Sequence, residues 1–304
     1  MEVLITGGKG QLGHYLVKEL LKEYSDINII IIDNLTNAKS HLDHQSVEVI
    51  EANFEDPTTY SHPILQNASI DTIFHLAAQI SVPESIRNPV SDFQINGLGT
   101  LKLLKWAKDN NINNFITIGS AATLGHPLHL PISTDHPQHP ISPYGISKMT
   151  AEQYTTYFRD HYGLNFKVIR PFNIYSEIMK PNDPYSGVIS KFIEFAKNRE
   201  EFIIEGDGLQ TRDFIHAEDV AKILVRSIHD TKKSIYNAAT GVGTTILDLS
   251  KIIASIAGIP WRVRHVSPRP GDIKHSFGEK SELMDFDAIP LQIGLKQVYE
   301  IHNH

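Results

Sequence analysis

The sequence predicts an α/β protein: a doubly wound parallel sheet joined to a smaller, mixed α/β lobe. Three observations carry that expectation. Through the first half of the chain, strand-like apolar runs alternate with helix-like segments. A glycine-rich turn lies between the first strand and the first helix, and after about residue 175 the alternation loosens. Strands separated by helices form βαβ units, whose right-handed crossovers build a parallel sheet covered on both faces.

The elements follow in order. "VLIT" (3–6) reads as a buried strand, and the run from Gln11 to about Lys22 as an amphipathic helix. "INIIIID" (27–33) is too apolar and too β-branched for anything but a strand buried on both faces. "VEVIEAN" (47–53), "DTIFHLAA" (71–78) and "NFITIGS" (114–120) continue the series, the last two separated by a helix over 99–111. A proline-rich loop (127–143), a helix from about 143 to 162 and a strand, "FKVIRPF" (166–172), complete it. Beyond this point "FIIEG" and "SIYNAA" read as short strands among helices such as "AEDVAKILVRSIHD", and "VSPRPGD" as a loop. We expect a dinucleotide-binding unit over 1–172, with segments near 210–240 returning to it. A substrate-binding lobe over 173–304 closes on the sheet's carboxyl edge.

Composition narrows the function. The 304 residues, 41% hydrophobic and 21% charged, can bury a sizeable core. The absence of cysteine excludes disulfides, thiolate metal sites and a cysteine nucleophile. Net charge is −7 with no basic block, which argues against nucleic acid or an anionic membrane as partner. No apolar run approaches membrane-spanning length and no signal segment is evident, so a cytoplasmic protein is expected. His126, His129, His136 and His139 lie on the proline-broken loop without helical metal-ligand spacing, and no metal is expected. The terminal "HNH" reads as a tail.

"LITGGKGQLG" ends the first strand with Gly7, Gly8, Gly10 and Gly13. Such glycines permit a tight turn and close backbone approach, and the helix that follows presents its N-terminal amides to a pyrophosphate. Asp33 stands 20 residues beyond Gly13 at the end of the second strand. There a carboxylate accepts hydrogen bonds from ribose hydroxyls and repels a 2′-phosphate, which favours NAD over NADP. In "SPYGISK" (142–148), Tyr144 and Lys148 are four apart and share a helix face. Alone, that spacing is more often a chance pair on a helix surface than a working one.

With these motifs the chain resembles the extended short-chain dehydrogenase/reductases, specifically the NAD-dependent nucleotide-sugar epimerases and dehydratases. The resemblance runs to about residue 275. It rests on "TGGKGQLG", "IDNL" (32–35), "HLAA" (75–78), "NGLGT" (96–100), "GSAATLG" (119–125), "SPYGISK", "RPFNIY" (170–175), "GDGLQTRDFIHAEDVA" (206–221) and "PRPGD" (268–272). It implies a Rossmann sheet holding NAD through Gly7, Gly10, Gln11, Leu12, Gly13, Asp33, Asn34, Asn53, Phe54, Leu76, Ala77, Ala78 and Asn96, together with Tyr144 and Lys148. It implies catalysis by Ser120, Tyr144 and Lys148. A free phenol, with a pKa of about 10, is a poor base. Lys148 and the nicotinamide's positive charge favour the phenolate, so that Tyr144 can take a proton from a sugar hydroxyl. Lys148 would also hold the nicotinamide ribose, and Ser120 would orient the substrate oxygen. Asn173, Arg212, Arg269 and Asp272 match family positions that bind a nucleotide sugar, the arginines gripping its diphosphate. Family members commonly pair through a four-helix interface, which implies a homodimer through 99–111 and 144–162.

Three reactions branch from a 4-keto sugar in this family. Dehydratases carry an Asp-Glu pair after the catalytic hydroxyl, where this chain has Ala121 and Ala122, and the glutamate of the decarboxylating branch is missing too. The stretch therefore resembles the UDP-glucose 4-epimerase group, in which oxidation, rotation and re-reduction invert the sugar carbon. A dehydrogenase, reductase or dehydratase of the same family is the alternative, and a non-catalytic NAD-binding protein a more distant one. Leu124 replaces the usual tyrosine of the serine motif, Ser176 and Glu177 the usual glycine and proline, and Asn53 a common aspartate. The segment after "PRPGD" is short and matches poorly, which leaves the base and the sugar open.

Overall fold

The computed structural model describes residues 1–179, 187–269 and 271–302. Pro270 of the "PRPGD" motif and the last two residues of the tail lie outside the described residues. The first half of the chain supplies β1 (Glu2–Thr6), β2 (Asn28–Asp33), β3 (Val47–Glu51), β4 (Thr72–His75), β5 (Asn114–Ile118) and β6 (Asn165–Pro171). Shorter strands follow: β7 (Asn173–Tyr175), β8 (Phe202–Glu205), β9 (Thr211–Arg212) and β10 (Phe214–His216). The series ends with β11 (Ile235–Ala238), β12 (Thr244–Thr245), β13 (Val263–Val266) and β14 (His275–Ser276).

Seven of these form one sheet in the order β11-β6-β5-β4-β1-β2-β3, every neighbour parallel. The strand order reverses across β1, so a crevice opens at the carboxyl ends beside it. β2 shows why the sheet needs two covers. Ile29 and Ile31 point into one core with helix α1 (Gln11–Glu23), while Ile30 and Ile32 point into the other. Successive side chains alternate across a strand, so an unbroken isoleucine run can only be buried on both sides. "SIYNAA", read as one of the loosely arranged strands of the later half, extends this sheet as β11 beside β6.

The other helices are α2 (Pro63–Asn67), α3 (Val82–Arg87), α4 (Pro89–Phe93), α5 (Thr100–Asp109) and α6 (Pro143–Tyr162). Beyond them lie α7 (Val188–Lys197), α8 (Ala217–Ser227), α9 (Ile246–Ala257) and α10 (Leu291–His302). α1 and α8 cover one face of the sheet, α5 and α6 the other. The sequence reading assigns no element to residues 82–93, where Pro83 and Pro89 would interrupt one long helix. Each proline instead occupies the first turn of its own short helix, where no backbone donor is needed. A π-helical turn, Gln94–Gly99, then leads into α5. α6 begins at Ser142, whose Oγ accepts the Gly145 N–H at 3.1 Å, and ends at Gly163 with φ +66°. Both are strong helix boundaries. The later residues build their own core, in which Phe192, Phe202, Leu249, Ile253 and Leu295 are all nearly inaccessible.

Candidate active site

The crevice holds a cavity of about 710 Å³, running from the glycine turn past Asp33 to Ser120 and Tyr144. Its size is that of a small-molecule or cofactor site. Gly7, Gly10, Gln11, Leu12, Gly13, Asp33, Asn34, Asn53, Phe54, Leu76, Ala77 and Ala78 all line it, as do Ser120, Tyr144 and Asn173. One topological switch point thus gathers residues scattered over more than half the chain.

The glycine turn is as tight as its composition implies. Gly7 has φ +73°, and a Cβ there would stand 2.7 Å from the Ala77 amide nitrogen. A Cβ on Gly13 would lie 2.4 Å from the Gly8 carbonyl oxygen. No side chain caps α1, so its first-turn amides face the cavity edge without an intramolecular partner from a cap. Asp33 holds the neighbouring loops: its carboxylate accepts the Lys9 N–H at 2.9 Å and the Leu35 N–H at 2.8 Å. Asn34 donates to the Asn53 side chain at 2.9 Å, fixing the rim opposite the glycines. This tight turn, uncapped helix end and carboxylate at the next strand fit a dinucleotide such as NAD.

At the other end, Ser120 follows β5 and caps a short turn by accepting the Ala122 N–H at 3.1 Å. Tyr144 sits in the first turn of α6, its own N–H bonded to Ser85 Oγ at 3.0 Å. Lys148 lies one turn further on the same face, 4% exposed and behind the cavity wall. Burial, with Asp92 and Glu152 nearby, pushes the Tyr144 phenol up to about 12, and the Ser120 hydroxyl draws it back only in part. Burial pulls Lys148 down to about 8, against the opposing pull of Glu152 and Asp92. The expectation that Lys148 lowers the phenol's pKa takes no account of this desolvation, which one sequence cannot display.

Other expected residues have different surroundings. Asn96 is buried at 1% exposure, and its amide donates to Gln79 O, Asp92 and Ser147. It therefore braces the wall instead of lining the cavity. Arg212 and Asp272 come together in one ion pair at 2.7 Å, while Arg269 pairs with Glu205 on the surface at 3.0 Å. None of these three lines the cavity. Leu124 is fully buried against Ile132, Phe172 and Ala239. Ser176 and Glu177 have specific partners: Gln11 donates to Ser176 Oγ at 3.0 Å, and His216 sits 3.1 Å from Glu177. The sequence reading passed over Gln79, Phe172, Tyr175 and Val188, which also line the cavity. Only their positions after parallel strands, or on the lobe that faces them, could have marked them. Among the described residues no helix is long and apolar enough to cross a membrane.

Comparison with known proteins agrees with this geometry. A family model described as the NAD dependent epimerase/dehydratase family matches residues 3–239. The chain is 33% identical over 300 residues to a putative UDP-glucose 4-epimerase of Methanocaldococcus jannaschii, covering 97% of this chain and 96% of that protein. Among solved structures it resembles UDP-glucose 4-epimerase of Thermotoga maritima with UDP-glucose, at a TM-score of 0.92 and 30% identity, covering 99% and 98% of the two chains. It also resembles a UDP-N-acetylglucosamine 4-epimerase of Methanobrevibacter ruminantium M1 in complex with UDP-N-acetylmuramic acid. There the TM-score is 0.91 and the identity 33%, with 99% and 97% covered.

Proposed function

The chain belongs to the NAD dependent epimerase/dehydratase family, and from that premise we propose that it inverts C4 of a nucleotide-activated hexose, of the UDP-glucose/UDP-galactose type, through a transient 4-keto sugar. One observation carries this reading. The cavity that runs from the glycine cradle ends at Ser120 and Tyr144, and the two residues after Ser120 are alanines. Hydroxyl, phenol and ammonium suffice to move one proton, and Ala121 and Ala122 offer no second acid or base for eliminating water.

In this reading NAD, when bound, would supply a reversible hydride acceptor. The glycine turn and the α1 amides hold its diphosphate, and Asp33 holds its adenosine ribose. As the phenolate, Tyr144 Oη would accept the proton of the 4-hydroxyl, and as the phenol it would return that proton to the sugar oxygen. Ser120 would orient the oxygen, and the Lys148 ammonium would stabilise the phenolate before it takes the proton. Asn173, which lines the cavity, would meet the sugar side, while Arg212, Arg269 and Asp272, which lie outside the cavity, would have to leave their present ion pairs to grip the nucleotide's diphosphate and ribose. Identities near one third and the two neighbours' different sugars support a UDP-sugar without selecting the substituent at C2.

Proton NMR of the anomeric region tests the reading with UDP-glucose, UDP-N-acetylglucosamine and UDP-glucuronate. A C4 epimer of one of them is expected, with no reduced cofactor accumulating. Growth of the reduced nicotinamide's absorbance without an epimer would favour a dehydrogenase instead.

A further inference from the structure

Behind Ser120, Tyr144 and Lys148 lies a carboxylate to which the reaction above gives no part. Glu152 follows Tyr144 and Lys148 at the same four-residue step along α6, so the three share one helix face. It is 2% exposed. Its Oε2 accepts from Arg170 Nε at 2.9 Å and Nη2 at 2.8 Å, and from Gln138 at 2.5 Å. Its Oε1 accepts the backbone N–H of Ser120 at 3.3 Å. The carboxylate lies so close to the preceding residue that a Cβ at Gly119 would stand 2.3 Å from Oε1. Arg170, itself 3% exposed, also donates to Thr134 O at 2.9 Å, tying the pair to the proline-rich loop.

A buried ion pair is weak evidence for stability, because desolvation offsets most of the attraction. Its position beside Lys148 is more informative. Burial pulls the Lys148 pKa down to about 8, and the charges of Glu152 and then Asp92 oppose it. The groups facing Lys148 are Glu152 and Tyr144 on α6, Asp92 on α4 and His75 on β4, with Arg170 of β6 beyond Glu152. His75, between the Thr6 and Thr100 hydroxyls, is held neutral by burial. Glu152 and Asp92 are therefore the negative charges that retain the proton on Lys148, and Glu152 contributes the larger share.

We propose that Glu152 is a positioning residue of this site, anchoring the Ser120 backbone and keeping Lys148 an ammonium. The catalytic consequence rests on the epimerase reading; the protonation of Lys148 does not. Removing the carboxylate makes the ammonium less favourable, so Lys148 loses its proton at lower pH and the alkaline limb of kcat moves down.

Glu152→Gln alone would strand the Arg170 charge, so the test pairs Glu152→Gln/Arg170→Met with the conservative Glu152→Asp. Two quantities are measured across pH: kcat, and acetic anhydride labelling of Lys148 followed by mass spectrometry of its peptide. In the double variant both midpoints are expected to fall by about one pH unit. That would cost roughly five-fold in kcat near pH 8, while Glu152→Asp stays near the wild type. A folded double variant with an unmoved Lys148 midpoint, or with kcat reduced equally at every pH, overturns the proposal. If the wild type turns over no nucleotide sugar but its Lys148 midpoint still depends on Glu152, the epimerase reading fails and this one stands.

Discussion

Tyr144 is held in a state opposite to the one its proposed role as a base requires. With the phenol pushed up to about 12, the protein by itself keeps the proton in place, and the Ser120 hydroxyl draws the value back only in part. Two expectations follow at this scale. Tyr144→Phe leaves the cradle intact but removes the proton acceptor, so kcat should fall roughly 100- to 10,000-fold. NAD affinity, measured by calorimetry, should change little. Lys148 has a pKa lowered from 10.5 to about 8, so the ammonium is complete below that value and disappears as pH rises through it. kcat should therefore decline above about pH 8, and a flat profile to pH 10 would contradict the assignment. The residue types were visible in the sequence, Tyr144 and Lys148 four apart and Ser120 two residues past β5, but their roles came from the resemblance. Their energetics were not visible there, because desolvation and the carboxylates Asp92 and Glu152 arrive from other parts of the fold.

At the scale of elements, the site depends on where strands end and helices begin. The βαβ rhythm was readable because β2 is an unbroken apolar run and because strand-like and helix-like segments alternate around it, while Ser142 and Gly163 bound α6 by ordinary capping chemistry. The helices of residues 82–93 were not, since two prolines that break one long helix also start two short ones. Ser142→Ala should remove the cap of the helix that carries Tyr144, costing about 1 kcal/mol of stability in denaturant titration. Gly13→Ala forces a Cβ onto the Gly8 carbonyl oxygen at 2.4 Å. A loss of about 1–3 kcal/mol and weakened NAD binding are expected there, whereas NAD binding at the wild-type level would show that the turn yields without cost.

At the scale of the whole molecule, several exposed apolar side chains fall on three helices that pack together. Ile86, Val90 and Phe93 of α3 and α4, with Ile146 and Tyr157 of α6, are all largely exposed on helices that pack together. α5, expected to share a dimer contact, has no large hydrophobic among the exposed residues. We propose that a second copy of the chain covers this face, with the contact shifted from α5 toward α3 and α4. Val90→Glu/Phe93→Glu should convert a dimer into a folded monomer in light scattering, and a wild-type monomer would refute the pairing. The arginines illustrate what a single chain conceals. The resemblance implied that Arg212 grips an anion, but its pairing with Asp272 across 60 residues depends on how β9 and the loop after β13 meet. The central claim is that C4 is oxidised and then reduced with its own hydrogen. Epimerisation in deuterated water tests it most directly, with NMR of the product sugar. The account predicts an inverted sugar with ordinary hydrogen at C4 and exchange confined to the hydroxyl. Deuterium bonded to the inverted carbon would contradict it, since the hydrogen would then have come from solvent.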